Sequence, residues 1–573
     1  MTMPRTEFPR PDFERDNWLC LNGEWDFSMG TRALDRRITV PFACETQRSG
    51  IADRGFHPTV YYRRAVTLPQ RMQGKQVWLH FGAVDYESRV WVNGQLVANH
   101  TGGQTGFSAN ITPALIPGEP AVIEVEATDD PHDLEMPRGK QYWEEEQRSI
   151  FYDRTTGIWQ SVWLEAVEPL HLTRCLITPL YDECAVRFEY TLSQALPCEL
   201  ETEVRFEGAL VAQVRLHAAS ARGSFSLQLD QGAMQQWNFY ECLSWTPETP
   251  RLLNVTFRVL AQGEACDEVR SYFGMRKVSV ENGLFMLNNR PYYQKLVLDQ
   301  GYWRDSLLTA PEDDAFVRDI QLVKAMGFNG VRKHQKVEDP RFLYHADRLG
   351  LLVWGEIGSA YVYSRTYASR MYAEWQAALL RDYNHPCIVA WTPLNESWGV
   401  QEINASAMQQ AHCQALYHIT RSLDTTRPVI NNDGWEHVEG DLLTIHDYAA
   451  DGETLARHFQ SMESILRLHP GSRSLFASGF AYRGQPVLVS EYGGIKFEPG
   501  ETDASAWGYC EAADGEQFAT RYQSLTGALL AAQDVQGFCY TQLTDVGTEK
   551  NGLLTIDRQP KIPLEVIRQI NEK

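Results

Sequence analysis

The chain has 573 residues, a hydrophobic fraction of 43%, a charged fraction of 22% and a formal net charge of −21, so it is too long for one ordinary core and divides into about two to four domains. The acidic excess, with no basic run anywhere, excludes a nucleic-acid or anionic-membrane partner and leaves a neutral or small ligand, for which 16 Trp and 25 Tyr offer stacking surfaces. The 11 Cys include no CxxC pair or Cys/His cluster, and neither an apolar signal core nor a membrane-length apolar run occurs, so free thiols and a cytoplasmic location are expected.

From Leu21 to Glu165 short alternating runs follow one another: LNGEWDF, TVYYRRAVTL, QVWLHFGAVDYESRVWVNGQLVANH, AVIEVEA and IWQSVWLEAV. Period-2 alternation rich in β-branched and aromatic residues, with hairpin signals at Asn22-Gly23 and Asn93-Gly94, predicts an antiparallel jelly-roll β-sandwich over residues 1–168. EVRFEGALVAQVRLHAA, GSFSLQLD and LLNVTFRVL continue the pattern, and the length predicts an immunoglobulin-like β-sandwich over 169–276.

After GMRKVSVENG the period changes. Eight short apolar runs, PYYQKLVLDQ, GFNGVRKH, GLLVWGEIG, CIVAWTPLNES, RPVINNDGW, LLTIHDYAA, PVLVSEYGG and GFCYTQLTD, are mostly separated by amphipathic stretches such as DAFVRDIQLVKAMG and DPRFLYHADRLG. That rhythm predicts a TIM (β/α)8 barrel over 277–573, giving a multidomain β plus α/β chain. The link after RPVINNDGW is too short for a helix, so the fifth strand is the weak place.

Reactive groups of a TIM barrel lie at the C-terminal ends of its strands. Here those ends carry Asp299; Arg332 and His334; Trp354 and Glu356; Asn395 and Glu396; Asn432, Asp433 and Trp435; His446, Asp447 and Tyr448; Glu491; and Gln542 and Asp545. Singly these have ordinary readings as helix caps, solvated loop residues or ion-pair partners, and Arg332 either pairs with a neighbouring carboxylate or meets the ligand. Glu396 and Glu491, at the ends of strands four and seven, face each other across the mouth, and two such carboxylates are what glycoside hydrolysis needs. Apolar company from Trp398 would raise the carboxyl of Glu396, as a general acid requires, and the Asn395 amide would hold a sugar hydroxyl. An ionised Glu491 needs donors, for which Tyr448 and Arg332 are the candidates.

At these residues the chain resembles glycoside hydrolase family 2, the clan A group of β-galactosidases, β-glucuronidases and β-mannosidases, over nearly its whole length. LNGEWDF, WVNGQLVANHTGGQTGF and RTTGIWQSVWLE look like the family's sugar-binding jelly roll, WTPETPRLL and YFGMRKVSV like the passage from its immunoglobulin-like domain into the barrel, PLNESWG like its acid/base motif and VLVSEYGG like its nucleophile strand. The resemblance implies an exo-acting retaining β-glycosidase with Glu396 as acid/base and Glu491 as nucleophile, β-galactosidase-like first, with β-glucuronidase or β-D-galactofuranosidase as alternatives. Asp299, Arg332, His334, Glu356, Asn395, Trp398, Trp435, His446, Tyr448 and Gln542 are the expected substrate-binding residues. A glycoside or oligosaccharide is the partner, a homo-oligomer is implied, no cofactor is called for, and Glu356 and His446 are too scattered to assign a metal.

The chain departs from the family where many members carry Arg-x-Ser/Thr-His-Tyr: here the sequence is VRKHQKVEDPRF, with Lys333 and Lys336 either paired with Glu338 and Asp339 or holding a sugar carboxylate. GTEKNG places Lys550 and Asn551 near strand eight without a clear Asn-x-Lys uronate signature. The rival reading of another class is a catalytically silent carbohydrate-binding protein. The presence of both carboxylates speaks against it.

Overall fold

A computed structural model describes residues 3–229, 243–500 and 505–573. Asp230, the last residue of the expected strand GSFSLQLD, lies outside them. Three hydrophobic cores follow one another along the chain.

The first core lies between two antiparallel sheets. The larger has the order Arg36–Val40, Gly23–Met29, Thr59–Val66, Ala121–Thr128, Glu87–Val92, Gln95–Thr101; the smaller has Trp18–Cys20, Val162–Val167, Gln76–Phe81, Phe107–Asn110. Alternation sets the faces: in Ala121–Thr128 every second side chain is buried, the period a half-buried strand requires. Asn93-Gly94 is the tight turn its sequence predicts, with φ of 49° and 79° joining two paired strands. Asn22-Gly23 is not a hairpin. Trp18–Cys20 and Gly23–Met29 belong to different sheets, Gly23 bends the chain between them at φ 102°, and the buried Asn22 amide donates to Arg5 O (2.7 Å) and Ser161 Oγ (3.0 Å) while accepting from Val162 N–H (3.0 Å). The same dipeptide crosses over because its side chain has buried partners.

The second core is a smaller sandwich of Leu172–Leu180, Ala185–Leu192 and Arg222–Gln228 against Ala209–Ala218, Cys198–Phe206, Leu253–Ala261 and Glu264–Phe273. Phe188 and Phe257 meet edge-on at its centre. The ten cysteines among the described residues are free thiols.

The third core belongs to the barrel. Its parallel strands run in the order Ile388–Thr392, Leu352–Glu356, Gly330–Lys333, Gln294–Asp299, Val535–Thr541, Val487–Gly493, Leu443–Asp447, which is four-three-two-one-eight-seven-six of the eight expected. The fifth is reduced to two isolated parallel bridges, Trp391 with Val429 and Asn395 with Asp433, and no helix follows it before strand six. Helices Asp313–Ala325, Pro340–Leu349, Arg365–Asp382, Ala407–Leu423 and Gly515–Ala531 surround the strands. Pro340–Leu349 illustrates local coding: Asp339 caps the Arg341 N–H, Pro340 fills the first turn, and Gly350 ends the helix at φ 73°. No helix among the described residues is long and apolar enough to cross a membrane.

The first sandwich is fastened to the barrel by polar groups as well as by a small joint core that includes Tyr152, Trp159, Tyr302 and Leu308. Gln104 Oε1 accepts from Val337 N–H at 2.9 Å, and Gln104 N–H donates to Glu374 Oε1 at 2.6 Å. Glu374 lies on helix Arg365–Asp382, its Oε2 is buried without a partner, and burial pushes its carboxyl up to about 7. The folded chain therefore holds this proton above the ordinary carboxylate range while the unfolded chain releases it. The associated stability, on the order of 3 kcal/mol, is full below about pH 4.5 and is lost as the pH rises to 7. Glu374→Gln keeps the acceptor and cannot ionise, so its melting temperature relative to the parent should rise between pH 5 and pH 8. Equal differences at the two pH values in a thermal-melt series would contradict this assignment.

Candidate active site

The strand ends converge on one guanidinium. Arg332 is fully buried, and its Nε donates to Glu356 Oε2 at 2.8 Å, its Nη2 to Asn395 Oδ1 at 2.7 Å, and its Nη1 to Glu491 Oε1 at 2.8 Å with Asp433 Oδ2 at 2.5 Å. One cation thus faces three carboxylates supplied by strands three, five and seven. Burial alone would neutralise the Asp433 carboxyl, but Arg332 and His446 hold it well below the usual carboxylate range.

His446 is the second cation. Its Nδ1 lies 2.7 Å from Glu396 Oε1, its Nε2 lies 2.7 Å from Asp433 Oδ2, and Glu491 Oε1 is 3.5 Å from Nε2. Burial works to lower its pKa, yet Glu491, Asp433 and the bond to Glu396 raise it to about 10. The ring is an imidazolium that donates from both nitrogens. Glu396, His446 and Glu491 each bring one potential ligand atom within 4.8 Å of the others.

Glu396 follows strand four in a left-handed turn, with φ of 51° at Glu396 and 58° at Ser397. Non-glycine residues there store about 1–3 kcal/mol each and persist only where their surroundings hold them. Glu396 N–H donates to Asp433 O (2.9 Å), Ser397 N–H to Asn432 Oδ1 (2.9 Å) and Ser397 Oγ to Glu436 Oε2 (2.5 Å). The carboxylate so directed meets His446. Trp398 packs instead against Phe151 (5.7 Å) and Tyr361 (5.5 Å) under the ammonium of Lys140 at 4.8 Å. The indole therefore walls the mouth, and the contact made by Glu396 is cationic where apolar company was expected.

Glu491 takes its remaining contacts from Tyr448, whose hydroxyl donates to Oε2 and whose ring stacks on Tyr509. Arg332 and Tyr448, the two donors expected from the sequence, thus both reach it. Asn395 Nδ2 and Trp435 Nε1 are buried without a hydrogen-bond partner, whereas His334 Nδ1 lies 3.1 Å from Glu356 Oε1. Trp435 meets His446 edge-on at 5.5 Å. His334 is kept neutral by burial and by the nearby Arg332 and Lys140. Asn395 Nδ2 and Trp435 Nε1 are thus the unpartnered polar atoms near the carboxylate pair.

Other expected contacts lie deeper. Asp299 is 1% exposed and holds Lys333 Nζ at 2.5 Å and Gly301 N–H at 2.9 Å. Lys333 and Lys336 both bind Glu338, at 2.9 and 3.0 Å, and Asp339 binds Arg5 at 3.0 Å, so neither lysine is free for a ligand. Glu356 and Gln542 are likewise buried, Gln542 Nε2 donating to Asn551 Oδ1 at 2.8 Å. These residues position the groups above them.

The sequence did not single out the segment near residues 134–152. It leaves the first sandwich and lies on the barrel mouth: Gly139 N–H donates to Ser359 O, Tyr361 N–H to Leu134 O, and Tyr152 OH to Glu549 Oε2. It brings Lys140, 7% exposed and in no ion pair among the described residues, together with Phe151 to the pocket rim. Beside this segment Asn551 Nδ2 donates to Glu549 Oε1 at 2.9 Å, the pair flanking the half-buried Lys550.

Models of "Glycosyl hydrolases family 2" match the chain in three consecutive stretches: the sugar binding domain over residues 38–165, the family-2 domain over 170–276 and the TIM barrel domain over 278–573, the last covering more than half of the chain. A β-galactosidase of Thermoanaerobacter pseudethanolicus is 26% identical over 374 residues, 64% of this chain, which spans about half (48%) of that protein. A β-glucuronidase of Paenibacillus borealis is 24% identical over 556 residues, 89% of this chain and 87% of its own. In fold, the chain is similar to the β-D-glucuronidase of Dictyoglomus thermophilum, with a TM-score of 0.78, 19% identity and coverage of 99% and 98%.

Removing the shared cation leaves three buried carboxylates without it. Arg332→Met should destabilise the protein by about 3–5 kcal/mol, read as a lower urea midpoint. A midpoint equal to that of the parent would mean that the cluster is not held by Arg332.

Proposed function

We propose that this chain, which belongs to glycoside hydrolase family 2, is an exo-acting retaining β-glycosidase with Glu491 as nucleophile and Glu396 as acid/base. The observation that carries the reading is their separation: one oxygen of each lies within 4.8 Å of the other. About 5–5.5 Å suits direct attack and retention, whereas inversion needs about 6.5–9.5 Å to seat a water between the carboxylates.

In the first step Glu491 attacks the anomeric carbon as its bond to the leaving oxygen breaks, and Glu396 gives that oxygen a proton. In the second, Glu396 takes a proton from water as the water displaces Glu491, so the anomeric configuration is restored. Arg332 and Tyr448 hold Glu491 in line through its two oxygens. The Asn395 amide, anchored by Arg332 through its oxygen, has Nδ2 free for a sugar hydroxyl. The rim of Phe151, Tyr361 and Trp398 supports an end-on pocket rather than an open cleft.

A β-galactoside is the first reading for the sugar, since the neutral His334, Asn395 and Glu549 offer hydroxyl partners and Lys333 and Lys336 are occupied. A β-glucuronide is the second, favoured by Lys140. The charge of Lys140 already acts on the Glu549 carboxylate, but no carboxylate pairs with it directly among the described residues, and a sugar carboxylate would supply that contact.

Chromogenic β-D-galactopyranoside, β-D-galactofuranoside and β-D-glucuronide distinguish these readings, and measurable glycan binding with no turnover of any would sink the enzyme reading. Glu491→Ala should lose turnover and regain part of it with azide, giving a product of inverted configuration; undiminished activity would exclude it as nucleophile. Tyr448→Phe should lower kcat about 10²-fold with little change in KM. Lys140→Met should weaken kcat/KM for the glucuronide at least about tenfold more than for the galactoside if the uronide is the substrate, and equally if it is not.

A further inference from the structure

The phenol of Tyr448 reaches Glu491 Oε2, and its hydroxyl also lies 3.2 Å from Thr541 Oγ1. Both contacts are made at the tip of the side chain, and Tyr448 stands one residue past strand Leu443–Asp447, outside the ladder that orders its neighbours. Hydrogen bonds at the tip leave the ring free to swing about them, and one of the two partners is the group that reacts. What fixes the ring must press on its face.

Tyr509 does so. The two rings lie face to face, their planes 4° apart. Tyr509 is itself fixed from several sides. Its N–H donates to Gly494 O at 2.9 Å, and Trp507 meets its ring edge-on at 4.6 Å. Trp507 is bonded to the loop after strand eight, its N–H donating to Thr548 O at 2.8 Å and its carbonyl accepting from Lys550 N–H at 2.9 Å. Beside it Ile495–Lys496 pairs in parallel with Cys510–Glu511. The chain that leaves strand seven thus returns to cover the end of strand six. The two glycines after Glu491 make room for this packing: a Cβ on Gly494 would overlap Tyr509 Cδ2, and one on Gly493 would overlap Tyr540 Cε2. Desolvation and the charges of Glu396 and Glu491 push the Tyr509 phenol well up, so the ring stays neutral beside the two carboxylates.

An aromatic face laid flat on the phenol blocks its swing to that side, and a misplacement of about 1 Å in a catalytic contact costs up to about 10²-fold in rate. We infer that Tyr509 is a positioning residue for the nucleophile: through its stack it holds the Tyr448 phenol against Glu491. The inference rests on the reading of Glu491 as nucleophile and adds a residue that acts on it only through Tyr448.

The test is a double-mutant cycle on the intact chain, with whichever of the three chromogenic glycosides it turns over. Tyr509→Ala should lower kcat about tenfold with KM within about twofold of the parent, and Tyr509→Phe, which keeps the ring, should restore kcat to within about twofold. In the Tyr448→Phe background no hydroxyl remains to be held, so Tyr509→Ala should cost less than about twofold more. Tyr509 is 37% exposed, so its removal opens no core cavity; melting temperatures check that each variant is folded, and Tyr509→Leu takes the place of the alanine variant if that one is not. Losses that multiply in the double variant, a change in KM alone, or a phenylalanine variant as impaired as the alanine one would overturn the inference. Failure of all three glycosides, or undiminished activity in Glu491→Ala, would instead sink the reading on which it rests, and the inference with it.

Discussion

The fully buried guanidinium of Arg332 is the contact on which the rest of the site depends. Its fork meets Glu356, Asn395, Asp433 and Glu491, groups that belong to four different strand positions. A planar donor set can satisfy all four only if those strands end at one level, so the ion cluster and the barrel register constrain each other. Such a cluster is a weak device for stability, because desolvating the charges consumes most of what their attraction returns. Its value is geometric. It fixes Glu491 and the Asn395 amide before any ligand arrives, and preorganised dipoles and charges of that kind account for much of enzymatic rate enhancement.

The first sandwich is part of the same construction. Its excursion onto the mouth supplies Phe151, Tyr152 and Lys140, and Tyr152 reaches Glu549 across 397 positions of sequence. Gln104 is bonded to both Val337 and Glu374, which couples the sandwich to the loop after strand two and to the helix after strand three. A barrel without this domain would lack one wall of its pocket and expose Trp398. The sandwich therefore belongs to the site whether or not it binds a glycan of its own.

What the sequence made legible was local. Alternation gave the sandwich faces because burial in a half-exposed sheet has period two, and helix Pro340–Leu349 was readable as the amphipathic stretch DPRFLYHADRLG. Glu396 and Glu491 stood out through motifs set in a familiar order. Asn22-Gly23 misled because a turn signal carries no information about which sheet the next strand joins. The surroundings of Glu396 were missed for a related reason: Trp398 is its neighbour in sequence, whereas His446, its neighbour in space, lies 50 positions away. Lys140 carried no signal at all, and Glu549 was passed over within GTEKNG for its neighbours Lys550 and Asn551, since each gains its meaning from a contact between domains.

The irregular fifth strand fits the same logic. A regular strand at residues 429–433 would direct alternate side chains inward and leave its carbonyls in a ladder. Here the chain keeps one ladder step with strand four, Asp433 N–H to Leu394 O and Glu396 N–H to Asp433 O, and its side chains have two further tasks: Asn432 Oδ1 holds Ser397 N–H, and Asp433 Oδ2 meets Arg332 and His446. The left-handed pair Glu396 and Ser397 needs those acceptors, because a strained turn persists only where its surroundings over-determine it. The ladder is thus kept only at isolated bridges, one of which holds Glu396 N–H, while the side chains of Asn432 and Asp433 supply the other contacts that aim the Glu396 carboxylate. Where a local rule fails in an otherwise consistent fold, the compensating gain belongs at the functional site, and here it is the orientation of one carboxylate toward another less than 5 Å away.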